Sequence, residues 1–248
     1  MPEAVPDSGI WLAIHDGSAE ISIDRRDARN SLDSRALVGL ATALQLVEAD
    51  VGVHSAVLRS GVEGVFCSGG NYADPDRPGR ASVEYAPSLA ACFEAWTSRS
   101  FPVIALVDGT ARAFGTALAL TSDLVVASPR ASFGLPELSR GVVPSYAIAL
   151  LRTRHSSQFV REFVLTTEAI TARSGFATVS SEPEEVVRAQ VARFAAIGVE
   201  AVRGAQRLLT AIDATLDLRA AQQLAADGVA EQLRRYDEGR TDQTYLGL

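Results

Sequence analysis

The stretch 101-FPVIALVDGTARAFGTALALTSDLVVA-127 determines the expected fold. Its first seven residues are apolar and rich in β-branched side chains, which is typical of a buried strand. A turn is expected at Asp108-Gly109, and the Ala/Leu-rich composition that follows favours a helix beginning near Phe114-Gly115 and ending before Asp123. A second apolar run, Leu124 to Ala127, comes directly afterwards. Strand, helix and strand in this order indicate an α/β fold.

The start of that helix could also serve chemistry. Its first backbone N–H groups have no partner inside the helix, so the loop before it can hold an oxygen that is becoming negative. An ordinary strand-turn-helix with a glycine for close packing fits the same residues. The stretch alone leaves both interpretations open.

Composition limits the class of protein. The chain has 248 residues, 47% of them hydrophobic, and no apolar run approaches the roughly 20 residues of a membrane helix. No signal-peptide pattern opens the sequence, so we expect a soluble protein in the cytoplasm with no membrane partner. A net charge of -7 argues against a nucleic-acid partner. All 23 basic residues are arginine, which excludes Schiff-base lysine chemistry.

The two cysteines do not suggest a metal centre, and the arginines offer two groups that could bind an anion. Cys67 and Cys92 have no metal-ligand spacing, and we expect two free thiols. An anionic ligand would need a local arginine cluster. The candidates are Arg25, Arg26 and Arg29 in one group and Arg77 with Arg80 in another, although each could equally be a solvated surface charge.

The first third of the chain predicts a hairpin, a helix, a strand and a glycine loop. Ile10 to His15 and Ala19 to Ile23 flank Asp16-Gly17, which favours a tight turn. Ser31 is the predicted cap of the next helix, and Ser55 to Leu58 is a predicted strand. The run 62-VEGVFCSGGNY-72 follows, and its paired glycines allow a ligand to approach backbone N–H groups. The polar residues 73–82 are expected to form a mobile loop.

The rest of the chain is expected to complete a single domain. A helix around Pro87 to Trp96 precedes the central stretch, and Glu137 follows a proline in the glycine-punctuated run 130-RASFGLPELSRGVVP-144. A glutamate in such a loop could be a cap, an ion-pair partner or a catalytic group. Helices are predicted at 158–165, 183–197, 199–215 and 218–236. We therefore divide the chain into a flexible lead (1–8), a core (9–180) and a C-terminal helical region (181–248) that packs on the core or on a neighbouring subunit.

Three segments together resemble the motifs of the crotonase superfamily, the enoyl-CoA hydratase/isomerase family. They are 66-FCSGGNY-72, 108-DGTARAFGTALALTSD-123 and 133-FGLPELSRGVVP-144, and they occur in the family's order and spacing. The resemblance implies a spiral of ββα units with a helical C-terminal region, assembled as a homotrimer or hexamer. Apolar stripes on the C-terminal helices fit such an assembly.

The resemblance also implies a site. Two backbone N–H groups, those of Gly70 and Phe114, would form an oxyanion hole for an acyl-thioester carbonyl, and Glu137 matches the family's catalytic glutamate. Ala117 stands where the family's hydratases carry their other glutamate, which argues against hydration and favours double-bond isomerisation. The resemblance further suggests substrate contacts at Ser68, Gly69, Tyr72, Arg80 and Gly115, and CoA phosphate contacts at Arg25, Arg26 and Arg29. No cofactor is expected beyond the coenzyme A or phosphopantetheine of the substrate, which an acyl carrier protein could also deliver.

Three other functions remain compatible with the sequence. One is enoyl-CoA hydration. Another is decarboxylation, because the chain is also similar to the polyketide β-branching decarboxylases in Ser68-Gly69-Gly70 and in its tail 245-YLGL-248, although Arg80 stands roughly where that branch has a lysine. The third, from a different class, is a thioester-binding protein without chemistry.

Overall fold

A computed structural model describes residues 3–71, 73–74, 76–140, 142–172 and 176–213, with the backbone alone for 73–74, 77–81 and 140. The helices in these ranges are α1 (Ser34–Ala49), α2 (Tyr85–Ser98), α3 (Phe114–Leu120), α4 (Ser145–Arg154), α5 (Ser157–Thr166), α6 (Pro183–Ile197) and α7 (Val199–Asp213). The strands are β1 (Glu3–Val5), β2 (Ile10–His15), β3 (Ser18–Ile23), β4 (Ser31–Leu32), β5 (Ser55–Ser60), β6 (Gly64–Cys67), β7 (Gly69–Gly70), β8 (Ala73–Asp74), β9 (Arg77–Ala81), β10 (Val103–Val107), β11 (Gly109–Arg112), β12 (Leu124–Ala127), β13 (Ser132–Gly134), β14 (Ile170–Thr171) and β15 (Thr178–Val179).

Most strands belong to two sheets that the chain visits in turn. The main sheet has the order β1-β2-β3-β5-β10-β12-β15, and the second sheet has the order β14-β13-β11-β6. The chain passes from β5 to β6, from β10 to β11 and from β12 to β13, each time leaving the main sheet for the second one. A helix follows each passage: α2, α3 and α4 in turn. This repeated ββα pattern confirms the spiral predicted from the family resemblance.

The passage from β10 to β11 differs from the sequence prediction. A turn was expected at Asp108-Gly109, but Gly109 begins β11, which pairs in parallel with β6 and β13. Gly109 has φ +133°, and a Cβ there would lie 2.2 Å from backbone atoms of Gly64. Only glycine fits that conformation and that close approach, so the residue that suggested a turn instead lets the chain change sheets.

The N-terminal hairpin is confirmed, with two corrections around it. β2 and β3 pair antiparallel across Asp16-Gly17, as predicted. Residues 3–5, expected to belong to a flexible lead, form β1 and pair antiparallel with β2. Ser31 is not the cap of α1, because it lies in β4. The cap is Asp33, whose side chain accepts a hydrogen bond from the Ala36 N–H.

The described part of the C-terminal region packs on the main sheet. α6 has the predicted bounds, with proline at its first turn and Gly198 at its C-cap. Val187 of α6 joins the buried side chains of Val57, Ile104 and Val126 from three main-sheet strands. The predicted helix over 218–236 lies outside the described residues. Among the helices that are described, none is long and apolar enough to cross a membrane.

Candidate active site

Three sequence motifs follow the ends of three neighbouring strands. In the second sheet, β11 lies between β6 and β13, and all three run parallel. Ala111 of β11 is level with Cys67 of β6, and Arg112 is level with Gly134 of β13. The carboxyl ends of parallel strands meet at the same edge of a sheet, which is where ligands bind in α/β folds. We call this the carboxyl edge, and the segments containing Gly70, Phe114 and Glu137 all leave from it.

Gly70 presents its backbone N–H away from its neighbouring strand. The short strand β7 pairs in parallel with β4, and the ladder uses the N–H of Asn71, which donates to Leu32 O at 2.8 Å. Alternate residues of a strand donate to the same partner, so the Gly70 N–H points to the opposite side. Gly69 has φ +99°, and a Cβ on it would lie 2.4 Å from the Ala113 Cβ. The glycine loop therefore touches the turn that leads into α3.

Phe114 is the first residue of α3, so its N–H has no acceptor within the helix. The turn before it is unusual, because Ala113 has φ 54° and ψ −129°. The Ala113 N–H donates to Gly134 O at 2.9 Å, which ties this turn to the end of β13. The Phe114 side chain is buried in the hydrophobic core.

Gly115 fixes the distance between the two predicted oxyanion-hole segments. A Cβ on Gly115 would lie 2.6 Å from both Cβ and Sγ of Cys67. Gly115 is itself buried and lies against Cys67, and the substrate contact suggested by the resemblance stays a prediction. Burial raises the pKa of the Cys67 thiol, and likewise that of Cys92, to about 12. Both thiols are free, as predicted, and neutral at physiological pH.

Thr116, which sequence reasoning did not identify, links the oxyanion-hole helix to the glutamate segment. Its side chain is fully buried, and its hydroxyl lies 2.8 Å from Ala111 O and 3.0 Å from Gly134 O. The same hydroxyl accepts the Gly134 N–H at 3.0 Å. One side chain thus joins α3 to the ends of β11 and β13. The partners lie up to 18 residues away, so no local sequence signal reveals this role.

Glu137 lies in the turn three residues after the end of β13. It is half-buried, its Oε2 atom is shielded from solvent, and its carbonyl accepts the Val142 N–H at 3.0 Å. Ala117 is fully buried on α3, so the position of the family's other glutamate carries only a methyl group. Glu137 is therefore the acidic group that the predicted catalytic positions offer at the carboxyl edge.

The three arginines expected to contact CoA phosphates differ in burial and in their partners. Arg25 is mostly buried and forms an ion pair with Asp33 and a hydrogen bond to Ser31 O, so it holds the start of α1. Its contact with a CoA phosphate stays a prediction. Arg26 is exposed and pairs with Asp24 at 3.2 Å. Arg29 is exposed two residues before β4, the strand that pairs with Gly69-Gly70.

The remaining predicted contacts lie in or beside a hairpin. Ser68 is half-buried between β6 and β7. The segment expected to be a mobile loop contains β8 and β9, which pair antiparallel, and the turn residue Asp76 accepts two 2.7 Å hydrogen bonds from Arg35 of α1. Arg80 lies in β9, but its side chain is outside the described atoms, and Tyr72 lies outside the described residues.

Other features of the described chain do not compete with this site. Two surface depressions, of about 370 Å³ and 70 Å³, are lined by Arg99 and Thr210, and the smaller one reaches Thr121 at the far end of α3 from Phe114. Thr121 belongs to the second motif, but neither depression is lined by Gly70, Phe114 or Glu137. Within the described ranges, no cluster of three or more His, Cys, Asp or Glu side chains is placed to hold a metal ion.

Comparison with known proteins identifies the family and the fold of the chain. A sequence profile described as enoyl-CoA hydratase/isomerase matches residues 13–237. The chain is 36% identical over 129 residues to enoyl-CoA hydratase domain-containing protein 2 of Bos taurus, a match that covers 52% of this chain and 44% of that protein. It is 31% identical over 157 residues to the 2,3-dehydroadipyl-CoA hydratase of Escherichia coli, covering 62% and 60%. The matches thus span about half of these relatives.

A solved structure extends the fold similarity over nearly the whole chain. A Thermobifida fusca protein assigned as an enoyl-CoA hydratase, crystallised with acetoacetyl-CoA, superposes with a TM-score of 0.78 at 23% identity. The superposition covers 92% of this chain and 96% of that protein. At this identity the likeness establishes the shared fold.

Proposed function

Because the chain belongs to the enoyl-CoA hydratase/isomerase family, we propose that it shifts the double bond of an enoyl thioester, with Glu137 as both base and acid. The observation that carries the proposal is the convergence of β6, β11 and β13, whose ends lead to Gly70, Phe114 and Glu137 at the carboxyl edge. The family supplies the acyl-thioester chemistry, and Ala117 at the position of the other glutamate supports isomerisation within it.

The proposed reaction needs one carboxylate and an oxyanion hole. The Glu137 carboxylate removes a proton from C2 of a 3-enoyl thioester, and the electron pair of that C–H bond moves into a dienolate. The N–H groups of Gly70 and Phe114 donate hydrogen bonds to the thioester oxygen while it carries the negative charge. Glu137, now protonated, returns the proton to C4, which leaves a 2-enoyl thioester and the original carboxylate.

Hydration is the alternative that the names of the relatives suggest, since the E. coli protein is a 2,3-dehydroadipyl-CoA hydratase. Adding water requires one group to deprotonate the water and a positioned donor to protonate C2. In this chain the position of the family's other glutamate is Ala117, a buried methyl. Glu137 would have to perform both tasks, so the geometry favours isomerisation.

The thioester carrier and the assembly belong to the same proposal. Coenzyme A and an acyl carrier protein present the same phosphopantetheine thioester to the site. Arg29, exposed beside the strand that pairs with Gly69-Gly70, is the arginine we propose for the ligand phosphates. We also propose a homotrimer or hexamer, since α7 carries Leu209 with 51% of its side chain exposed along its apolar stripe.

The test compares wild type with Glu137→Gln on 3-enoyl, 2-enoyl and β-carboxyacyl thioesters. Replacing a general acid/base typically costs about 10²–10⁴ in rate, so isomerisation by Glu137→Gln should fall by at least roughly 100-fold. Glu162→Gln is the matched control, because Glu162 is exposed on α5 and outside the three motifs. It should keep wild-type turnover.

Each of the other functions has its own outcome. Isomerisation that persists undiminished in Glu137→Gln would contradict the single-carboxylate mechanism. Release of CO₂ from the β-carboxyacyl thioester by both proteins would favour decarboxylation, because loss of CO₂ generates the enolate without a base. In deuterated water, a protein that only binds thioesters would exchange no C2 protons.

A further inference from the structure

A phenol lies directly against the predicted oxyanion-hole glycine. Tyr85 is the first residue of α2 and is 6% exposed. A Cβ built on Gly70 would lie 2.0 Å from Tyr85 Oη and 3.1 Å from its Cζ. The hydroxyl therefore occupies the space that any side chain at position 70 would need. Tyr85 lies outside the three motifs, 15 residues after Gly70 in the sequence.

The phenol oxygen and the free face of the Gly70 N–H are close enough to share one acceptor. The N and Cβ atoms of one residue are about 2.5 Å apart, so Tyr85 Oη lies within about 4.5 Å of the Gly70 nitrogen. The β4–β7 ladder uses the N–H of Asn71, which leaves the Gly70 N–H directed away from β4. An oxygen about 2.9 Å from that nitrogen can also lie within hydrogen-bond distance of the phenol.

We infer that the Tyr85 hydroxyl is a third hydrogen-bond donor to the thioester oxygen, beside the N–H groups of Gly70 and Phe114. The inference rests on the proposed function, and it adds a catalytic residue to that site. A phenol hydroxyl is an uncharged hydrogen-bond donor. It stabilises a developing enolate without transferring its proton, as phenols do in other enolate-forming enzymes.

This role explains two features of the chain together. With Ala117 in place of a second carboxylate, the reaction depends on one base and on how strongly the enolate oxygen is held. The site also needs glycine at position 70 for a reason beyond its N–H, because alanine would keep that donor but would bring a methyl to 2.0 Å from the hydroxyl. Gly70→Ala therefore displaces the phenol while leaving the backbone donor in place.

The experiment follows the enolate of bound acetoacetyl-CoA by its ultraviolet absorbance as a function of pH. Wild type should lower the apparent pKa of the bound ligand relative to the free ligand. Tyr85→Phe should return that pKa by at least about one unit toward the free value and slow C2 proton exchange in deuterated water by roughly 100-fold, the usual effect of losing one oxyanion donor. Tyr146→Phe is the matched control, because Tyr146 is half-buried against Phe93, and it should behave as wild type.

Gly70→Ala provides the second variant. It should resemble Tyr85→Phe, and the double variant should be little worse than either single variant, because both changes remove the same donor. Circular dichroism confirms that each variant is folded.

The inference is overturned if folded Tyr85→Phe matches wild type in both the enolate pKa and the exchange rate. The proposed function fails separately, and the inference with it, if wild type itself neither favours the enolate nor exchanges C2 protons. If wild type favours the enolate and exchanges C2 protons, and Tyr85→Phe gives the same values, only the role of Tyr85 is removed from the mechanism.

Discussion

Ala113 has a backbone conformation that is normally reserved for glycine. Its φ of 54° with ψ of −129° lies in a region where the Cβ of an L-residue is strained. The strain comes at the turn where α3 begins, one residue before the predicted donor Phe114. Hydrogen bonding from the Ala113 N–H to Gly134 O holds the turn in place. The packing around the carboxyl edge therefore imposes this conformation on an unfavourable residue.

We expect Ala113→Gly to stabilise the protein. Such backbone strain costs about 1–3 kcal/mol, and a glycine costs about 0.4–1 kcal/mol through the unfolded state, so the net gain should be roughly 1 kcal/mol. Urea unfolding followed by circular dichroism measures it. Ala119→Gly is the control, because Ala119 is buried within α3 and should lose about 1 kcal/mol or more. A loss of stability in Ala113→Gly would mean that the turn carries no strain.

Roles of single residues could be predicted from the sequence only where a motif carried them. Gly70, Phe114 and Glu137 were named from ordered motifs, and all three follow strand ends at the carboxyl edge. The ion pair of Arg25 with Asp33 was not predicted, because an exposed and a buried arginine look alike in sequence and Asp33 was read as part of a helix. Tyr85 was missed because its contact with Gly70 depends on how α2 packs.

At the scale of elements, α7 and α1 are joined by one arginine. Arg203 of α7 is 6% exposed and donates to Val53 O (2.8 Å), Val47 O (2.8 Å) and Asp50 O (2.9 Å). Several of these carbonyls belong to the last turn of α1 or follow it, where they have no partners within the helix. The guanidinium also places a positive charge at the negative end of the helix dipole. A single side chain thus caps one helix and fixes the position of another.

Arg203→Met should destabilise the protein strongly. The Val47 and Val53 carbonyls would lose this partner at about 1–3 kcal/mol each, so we expect a loss of at least about 2 kcal/mol in urea unfolding. Arg203→Lys should recover only part of it, since an ammonium cannot reproduce the planar fork of donors. Arg207→Met, exposed one turn further along α7, should change stability by no more than about 0.5 kcal/mol. Equal losses at both positions would contradict the capping role.

Elements were predictable from the sequence where local signals marked both ends. Proline at the first turn of α6 and Gly198 after its last residue gave the observed bounds. The start of α1 was placed at Ser31 because serine and aspartate are both good caps, and only the pairing of β4 with β7 distinguishes them. β11 was read as a turn because its partners β6 and β13 are remote in sequence.

At the scale of the whole molecule, contacts at both ends of α3 fix this helix against the carboxyl edge. At the near end of α3, Thr116 and Gly115 connect the helix to β13 and Cys67. Beyond the far end, the Asp123 carboxylate forms ion pairs with the guanidinium groups of Arg99 and Arg154, each with an N–O distance of 2.9 Å. Burial alone would raise the pKa of Asp123, but the two arginines and the Val103 N–H hold it below its ordinary value. The C-terminal end of α3 is therefore held by a cluster of charged side chains. The homotrimer or hexamer stays a prediction.

Two of the three histidines link the stability of the whole molecule to pH. Burial lowers the pKa of His54 below its ordinary value of 6.5, against the opposing effect of the Asp16 backbone. Burial also lowers the pKa of His155, and the positive charge of Arg154 lowers it further. The Leu120 carbonyl, 2.8 Å from Nε2, acts in the opposite direction and raises that pKa. Both side chains are held neutral in the folded state. The unfolded chain therefore binds protons that the folded chain excludes as the pH falls.

Above about pH 6.5, the ordinary pKa of histidine, these two groups do not lower the free energy of unfolding. As the pH falls below that value, they protonate in the unfolded chain first, and the free energy of unfolding decreases. Each histidine contributes a slope of at most about 1.4 kcal/mol per pH unit. We expect the urea midpoint of wild type to decline between about pH 7 and pH 5, before the lowered pKa of Asp123 matters, since that carboxylate protonates only below its ordinary 3.8.

Three glutamine variants separate this effect from a general response to acid. His54→Gln and His155→Gln should each flatten the decline over that pH range, because each removes one group that must be kept neutral on folding. His15→Gln is the control, since His15 is exposed at the end of β2, and it should keep the wild-type slope. If both buried-site variants retained the full slope, acid sensitivity would have to come from carboxylates, and the buried histidines would have no part in it.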